Sequence, residues 1–287
     1  MDIDKTPEIG VVHLVRARNG TNPFKRFLAS YIDNRGGIEH ELLIVYKGFS
    51  GNSDITEYEQ LLVEFPHRSI FVRDVGYDVK SYFAAAEHFK NRYFCFLNSF
   101  TILLDKDWLL KMYKYISIEH VGLVGATGSY QSGYTHSVNE FARKKNRPFW
   151  KRILFLLLKD IYLFRMRYLF DPFPNPHIRS NAFMISRDTM RKVKCNAIIR
   201  KLDAYKFESG KCSLTKQVLA MNLRVLVIGS DGMGYEKEDW DKSNTFWQQD
   251  QRNLIIADKQ TAIYAGYNLE DRTKFSGYAW GNKANPQ

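Results

Sequence analysis

Tyr93–Phe100 reads YFCFLNSF, five apolar residues in unbroken succession followed by Asn98, Ser99 and Phe100. A strand that is apolar on both faces must be covered on both faces, which is the habit of parallel sheets sandwiched between helices. Working outward, Gly10–Val15 (GVVHLV), Glu41–Tyr46 (ELLIVY), Ser69–Val72, Val121–Gly125 (VGLVG), Ala182–Ile185 and Leu223–Ile228 read as further strands. Helical stretches separate them. Pro23–Ile32 places Phe24, Phe27, Leu28 and Tyr31 on one face, and Tyr58–Glu64, Lys80–Phe89 and Ser213–Met221 follow. This alternation predicts an α/β fold with a mostly parallel central sheet flanked by helices.

In such sheets ligands lie beyond the carboxyl ends of the strands. Three segments are therefore singled out: Arg16–Gly20, Lys47–Asn52 and Asn98–Phe100. No GxGxxG or GxxxxGK[ST] follows a strand, so neither a dinucleotide-binding fold nor a P-loop is supported. A hydrolase reading finds no GxSxG elbow and no paired metal ligands.

At 287 residues the chain can bury one substantial core, and 45% hydrophobic against 25% charged residues is a globular balance. The net charge of +11 selects polyanionic partners: nucleic acid, anionic lipid or phosphorylated small molecules. Basic residues are dispersed except around Arg143–Arg152, and no nucleic-acid module signature occurs, so no nucleic-acid partner is expected. Cys95, Cys195 and Cys212 are far apart with no CxxC, which excludes a disulfide framework and implies a reducing, cytoplasmic compartment. The opening MDIDKTPEIG is too polar and acidic for a signal peptide, and no apolar run reaches membrane-spanning length.

The middle of the chain changes character. Arg143–Phe170 reads RKKNRPFWKRILFLLLKDIYLFRMRYLF, basic, aromatic and leucine-rich, and it breaks at Asp171-Pro172. Lys151, Arg152, Lys159, Arg165 and Arg167 interrupt the apolar run. Such a helix either lies flat on an anionic membrane or packs on its own domain or a partner.

The order of motifs resembles the GT-A glycosyltransferases. Asp74-Val75-Gly76-Tyr77-Asp78, a helix, and then YFCFLNSF match the order that precedes their Asp-X-Asp metal motif. IRSNAFMISRDTM followed by KFESG and a helix resembles their acceptor-side segment. LNSFTILLDKDWL, GLVGATGS, PHIRSNAFMISR, FESGKCSLTKQ, SNTFWQQDQRNLIIADKQT and YAWG look like the capsule and O-antigen transferases of bacterial polysaccharide clusters. The likeness runs from about Gly10 to Gly281 and implies a GT-A-like fold with a basic helical insert. It further implies a nucleotide-diphospho-sugar donor and a saccharide or lipid-linked acceptor, with the enzyme in the cytoplasm at the inner face of the membrane. The expected organisation is one domain: residues 8–135 bind the donor, 136–172 form the insert, and 173–287 bind the acceptor.

One departure is conspicuous. The resemblance implies Mg²⁺ or Mn²⁺, yet Asn98-Ser99-Phe100 stands where most members carry Asp-X-Asp. Hard cations want charged oxygens, and Asn98 and Ser99 offer neutral ones, so weak metal dependence or none is expected. Asp105 and Asp107 are nearby, with capping of the helix near Trp108 as their alternative role. Arg16, Arg18, Lys47 and Arg179 are then the candidates to neutralise a leaving diphosphate. The same departure leaves open a non-catalytic scaffold subunit of a polysaccharide assembly complex.

Glu208 carries the catalytic expectation, because the resemblance places it where the family's base lies, beside a helix N-terminus. Its other reading is a carboxylate complementing that helix dipole. Arg16, Arg18, Asp74, Gly76, Asp78, Asn98 and Ser99 are the expected donor contacts. For Asp74 and Asp78 the alternative is turn formation, and Gly76 would let backbone approach the donor. His177, Arg179, Asn181, Trp240 and Trp247 are the expected acceptor contacts, with the indoles either stacking on sugar or filling an ordinary core corner.

Overall fold

The computed structural model describes the backbone of residues 7–50, 52–143 and 149–281. The side chains of 142–158 lie outside the described residues, and with them Trp150, Lys151 and Arg152 of the basic stretch. The strands are β1 (Ile9–Arg16), β2 (Glu41–Lys47), β3 (His67–Val72), β4 (Tyr93–Leu97), β5 (Ile102–Leu103) and β6 (Val121–Gly125). They continue as β7 (Gly128–Ser129), β8 (His177–Ile178), β9 (Ala182–Ser186), β10 (Arg224–Ile228), β11 (Gly234–Tyr235) and β12 (Ile256–Ala257). The helices are α1 (Asn22–Asp33), α2 (Thr56–Leu61), α3 (Tyr77–His88), α4 (Trp108–Ile116), α5 (Gly133–Arg143) and α6 (Phe149–Leu169). After them come α7 (Arg187–Lys192), α8 (Lys201–Ser209), α9 (Leu214–Ala220), α10 (Lys259–Ala265) and α11 (Leu269–Trp280).

Eight strands form one sheet in the order β11-β10-β6-β9-β4-β1-β2-β3. β3, β2, β1 and β4 run parallel, as do β6 and β10. β1, β2, β4, β6 and β10 are buried on both faces, as their continuous apolar runs require, while β3 at the sheet edge is only partly buried. Phe24, Phe27, Trp108 and Met112 cover one side, and Val79, Tyr82, Phe207 and Val218 cover the other. The fold is therefore α/β with a mostly parallel central sheet flanked by helices.

β9 departs from the parallel rule. It runs antiparallel between β4 and β6, with Ala182 beside Leu97 and Ser186 beside Tyr93. An antiparallel strand starts at the edge where its parallel neighbours end. Residues 177–181 are thus delivered to the carboxyl edge of the sheet, next to Asn98.

His13 sits in the middle of β1 with no exposure, its ring stacked on that of Phe27 with centres 3.7 Å apart and planes nearly parallel. Neither ring nitrogen has a hydrogen-bond partner. Burial pushes its pKa down from 6.5 to about 3. Folded His13 therefore stays neutral at pH values where the unfolded chain already binds a proton, and stability falls as the pH drops from 6.5 towards 3. Between pH 7 and pH 5 this residue should cost about 2 kcal/mol. Urea denaturation at both pH values should show the His13→Leu protein losing less stability on acidification than the wild type; equal losses would contradict the assignment.

Candidate active site

The carboxyl ends of β1, β2 and β3 gather one group of charges. Arg16, the last residue of β1, donates from Nε to Asp74 Oδ1 at 2.8 Å and from its terminal nitrogen at 2.5 Å. Lys47, the last residue of β2, is fully buried, and its Nζ donates to the Val75 carbonyl at 2.8 Å, to the Tyr77 carbonyl, and to Ser81 Oγ at 3.2 Å. An ammonium with three donors is fully used by three acceptors, so Lys47 pins the loop into α3 rather than offering itself to a ligand. Burial and the neighbouring Arg16 draw its pKa down to about 8. Arg18 is exposed beside this group and close enough to act on both Lys47 and Asp78.

Gly76 precedes α3 with φ of 72°, and a Cβ there would run into Lys80. The helix start thus demands glycine independently of any ligand. Asp78 lies in the first turn of α3, where the helix dipole favours an anion. Burial nevertheless raises its carboxyl pKa, the nearby Glu208 adds to the rise, and Lys47, Arg16 and Arg18 oppose it.

A second group forms around the start of β9. Glu208 Oε2 accepts from the Ser180 backbone N–H at 2.8 Å and from the Ser180 hydroxyl. Tyr82 of α3 donates to the Ser180 carbonyl at 3.2 Å, which ties this group to the helix carrying Asp78. His177 donates from Nδ1 to the Asn175 carbonyl at 2.9 Å, so its Nε2 carries the lone pair. Burial holds this imidazole below its ordinary pKa against the pull of Glu208.

Glu208 does not sit at a helix N-terminus. It occupies the last turn of α8, whose final residue is Ser209, while the next helix begins at Leu214. The negative end of the dipole repels a carboxylate there, which removes the dipole-complementing reading. Ser180 holds the charge in place instead.

Asn98 directs its backbone N–H to the Asn181 carbonyl at 2.9 Å, while its Oδ1 accepts from the Phe100 N–H, also at 2.9 Å. Asn181 Oδ1 accepts from Thr127 Oγ1 at 2.8 Å, and its Nδ2 is buried without a partner. A buried amide donor left unpaired costs about 1–3 kcal/mol.

These residues suit a tightly held Mg²⁺ or Mn²⁺ badly. The Asn98 oxygen is engaged in its own turn, Ser99 is buried, and Phe100 contributes no ligand atom. Asp105 is paired with Lys111, and Asp107 sits at the N-cap position of α4 without a capping side-chain bond. Among the described residues no three His, Cys, Asp or Glu side chains stand together as a metal would need.

The expected acceptor contacts are mostly enclosed. Arg179 donates to Asp258 Oδ2 at 2.7 Å and to Thr127 Oγ1 at 3.3 Å, and its guanidinium carbon lies 4.0 Å from the Phe246 ring centre. Trp240 is fully buried, its Nε1 donating to the Tyr235 carbonyl at 3.0 Å, so it offers no face to a ligand. Trp247 packs on Phe246 with ring centres 4.5 Å apart and donates to the Gln260 carbonyl at 3.4 Å. The structure therefore joins Arg16, Arg18, Asp74, Asp78, Asn98, Asn181, His177 and Glu208 along one edge. It leaves Trp240 in a core corner, with Trp247 partly buried against the same cluster. Ser180, Tyr82 and Thr127 were not singled out in the sequence, where nothing in their spacing marks them.

No protein-family profile matches the chain, and no curated protein matches it. Among solved structures, the chain is similar to a mannosyltransferase from Pyrobaculum calidifontis in complex with GDP-Man and Mn²⁺, with a TM-score of 0.47 and 11% identity over 96% of this chain and 70% of that one. It is also similar to S. aureus TarS, with a TM-score of 0.33 and 15% identity over 41% of this chain and 21% of that one. TarS 1–349 with UDP-GlcNAc gives a TM-score of 0.33 and 14% identity over 41% of this chain and 33% of that one.

Proposed function

We propose that the chain is a glycosyltransferase. It moves a sugar from a nucleotide-diphosphate donor to a saccharide or lipid-linked acceptor in the building of a bacterial surface polysaccharide. The observation that carries this reading is the Glu208 carboxylate, held by Ser180 in an electrostatically unfavourable place, beside the charges at the ends of β1–β3.

In this reaction the acceptor hydroxyl oxygen bonds to the anomeric carbon as the bond from that carbon to the diphosphate oxygen breaks. The hydroxyl proton passes to Glu208, whose Oε1 has no hydrogen bond among the described residues. The negative charge leaves on the diphosphate, where Arg18 and Arg16 oppose it. Asp74 and Asp78 serve the nucleoside, and the Asn98 and Asn181 amide nitrogens serve oxygens of donor or acceptor. Lys47 acts by positioning the loop. No step needs a tightly held cation.

The same reading places the protein in the cytoplasm at the membrane face. No helix of the described residues is long and apolar enough to cross a bilayer. On α6, however, Ile161, Phe164 and Tyr168 are 68%, 77% and 74% exposed at helical spacing, with Arg165 exposed among them. An apolar stripe edged by cations suits an anionic lipid surface.

Thermal-shift measurements with UDP, GDP, CMP and dTDP, each in EDTA and in Mn²⁺, test the donor site. One nucleotide should stabilise the protein, by about 2.7 kcal/mol at a hundredfold excess over its Kd, and EDTA should leave most of that effect. If no nucleotide stabilises the protein in either condition, the scaffold reading replaces the transferase.

A further inference from the structure

A cavity of about 480 Å³ opens between the start of α5, Phe173, α8 and the end of α11. It lies outside the two groups of site residues described above, yet it adjoins them. Tyr205, on its wall, stands one turn before Glu208 on α8. Asn175 ties its rim to the same helix end, donating to the Gln131 carbonyl at 3.1 Å and to the Ser209 carbonyl at 2.7 Å.

The lining is selective in what it omits. In a chain of net charge +11, no Lys, Arg, Asp or Glu contributes to this wall among the described residues. Among the described residues a diphosphate or a carboxylate would find no counter-charge here, which favours an uncharged ligand. What it does offer is aromatic surface from Phe173, Tyr205 and Tyr278, interleaved with the polar groups of Gln131, His136 and Asn139. A sugar ring has the matching surface, with an apolar face of C–H bonds and a rim of hydroxyls, and the volume falls in the range of small-ligand sites. His136 meets Tyr278 edge to face, with ring centres 5.7 Å apart.

Gly277 supplies an independent observation. It lies inside α11, where glycine costs about 1 kcal/mol relative to alanine. Its φ is not positive, and an added Cβ would meet no atom within 4 Å. Among the described residues nothing therefore excludes a side chain at this position. The space it leaves open belongs to the cavity wall.

We propose that this cavity binds an uncharged pyranose unit of the acceptor, with its rings as the stacking surface and Gly277 as the clearance that admits it. The assignment rests on the transferase reading and moves the acceptor contacts from Trp240 and Trp247 to Tyr205, Tyr278, Phe173 and their polar neighbours.

Saturation-transfer NMR tests it directly, using the methyl glycosides of glucose, galactose, mannose and N-acetylglucosamine, with methyl glucuronide as the charged control. At least one neutral glycoside should receive saturation from the wild-type protein, and more strongly than the glucuronide. Gly277→Leu fills open space and favours the helix, so the protein should fold and keep its thermal shift with nucleotide while losing the glycoside signal. The proposal is overturned if nucleotide stabilises the protein but no neutral glycoside binds, if the glucuronide binds best, or if Gly277→Leu binds glycoside like the wild type. Failure of nucleotide and glycosides together would instead bring down the transferase reading on which it rests.

Discussion

Replacing Glu208 by Gln is expected to lower the rate of sugar transfer by about 10²–10⁴-fold, the usual contribution of a positioned general base. The amide oxygen of Gln can accept both Ser180 donors that now hold Oε2, so the side chain should keep its place. What disappears is the ability to take a proton. The loss should therefore fall on kcat, with the donor KM and the nucleotide thermal shift unchanged. Stability offers a second readout. A carboxylate in the last turn of α8 opposes the helix dipole, so neutralising it should leave the folded state as stable as before or slightly more so. A structural carboxylate would give the reverse pattern, with lost stability and nearly intact transfer. A rate loss below tenfold would remove Glu208 as the base.

The Arg179→Met protein should lose about 3–5 kcal/mol of folding stability, the cost of breaking a buried ion pair from one side. Asp258 is 5% exposed and is the N-cap of α10, accepting from the Gln260 and Thr261 N–H groups at 2.9 Å each. Those donors compensate part of its charge, which favours the lower end of that range. Without the guanidinium the carboxylate remains buried, Phe246 loses the cation over its ring, and Thr127 loses a donor. Denaturant titration measures the loss directly. Any of the protein that stays folded should still bind nucleotide, because Arg179 already spends its charge on Asp258. A stable variant with impaired nucleotide binding would show instead that this arginine serves the ligand.

The inner strands of the parallel half were legible because each is a continuous apolar run bounded by turn residues, unlike the edge strand β3, which reads HRSIFV. YFCFL, ELLIVY and VGLVG became β4, β2 and β6 with little change at their ends. The sense of β9 was not legible, since a strand buried on both faces reads the same whether parallel or antiparallel to its neighbours. That one reversal places His177, Asn181 and Ser180 at the edge of the sheet. Glu208 was recognised as a residue but assigned to the wrong end of a helix. KLDAYKFES buries only Phe207 and Ser209, too weak a pattern to reveal α8. Trp240 and Trp247 carried ambiguous signals because an indole suits a sugar and a core equally well, and the sequence does not show that Trp240 is fully buried while Trp247 is only partly so. Lys47 read as a free cation at a strand end, but the loop that folds back over it consumes its donors.

A transferase of this kind must split a nucleotide sugar. Phosphorus NMR of the protein in EDTA, incubated with UDP-, GDP-, CMP- and dTDP-linked sugars and a lipid-linked oligosaccharide extract, follows release of free nucleotide. The prediction is that one donor is consumed by the wild type and spared by the Glu208→Gln protein. Consumption of none of them, with or without added Mn²⁺, would contradict it.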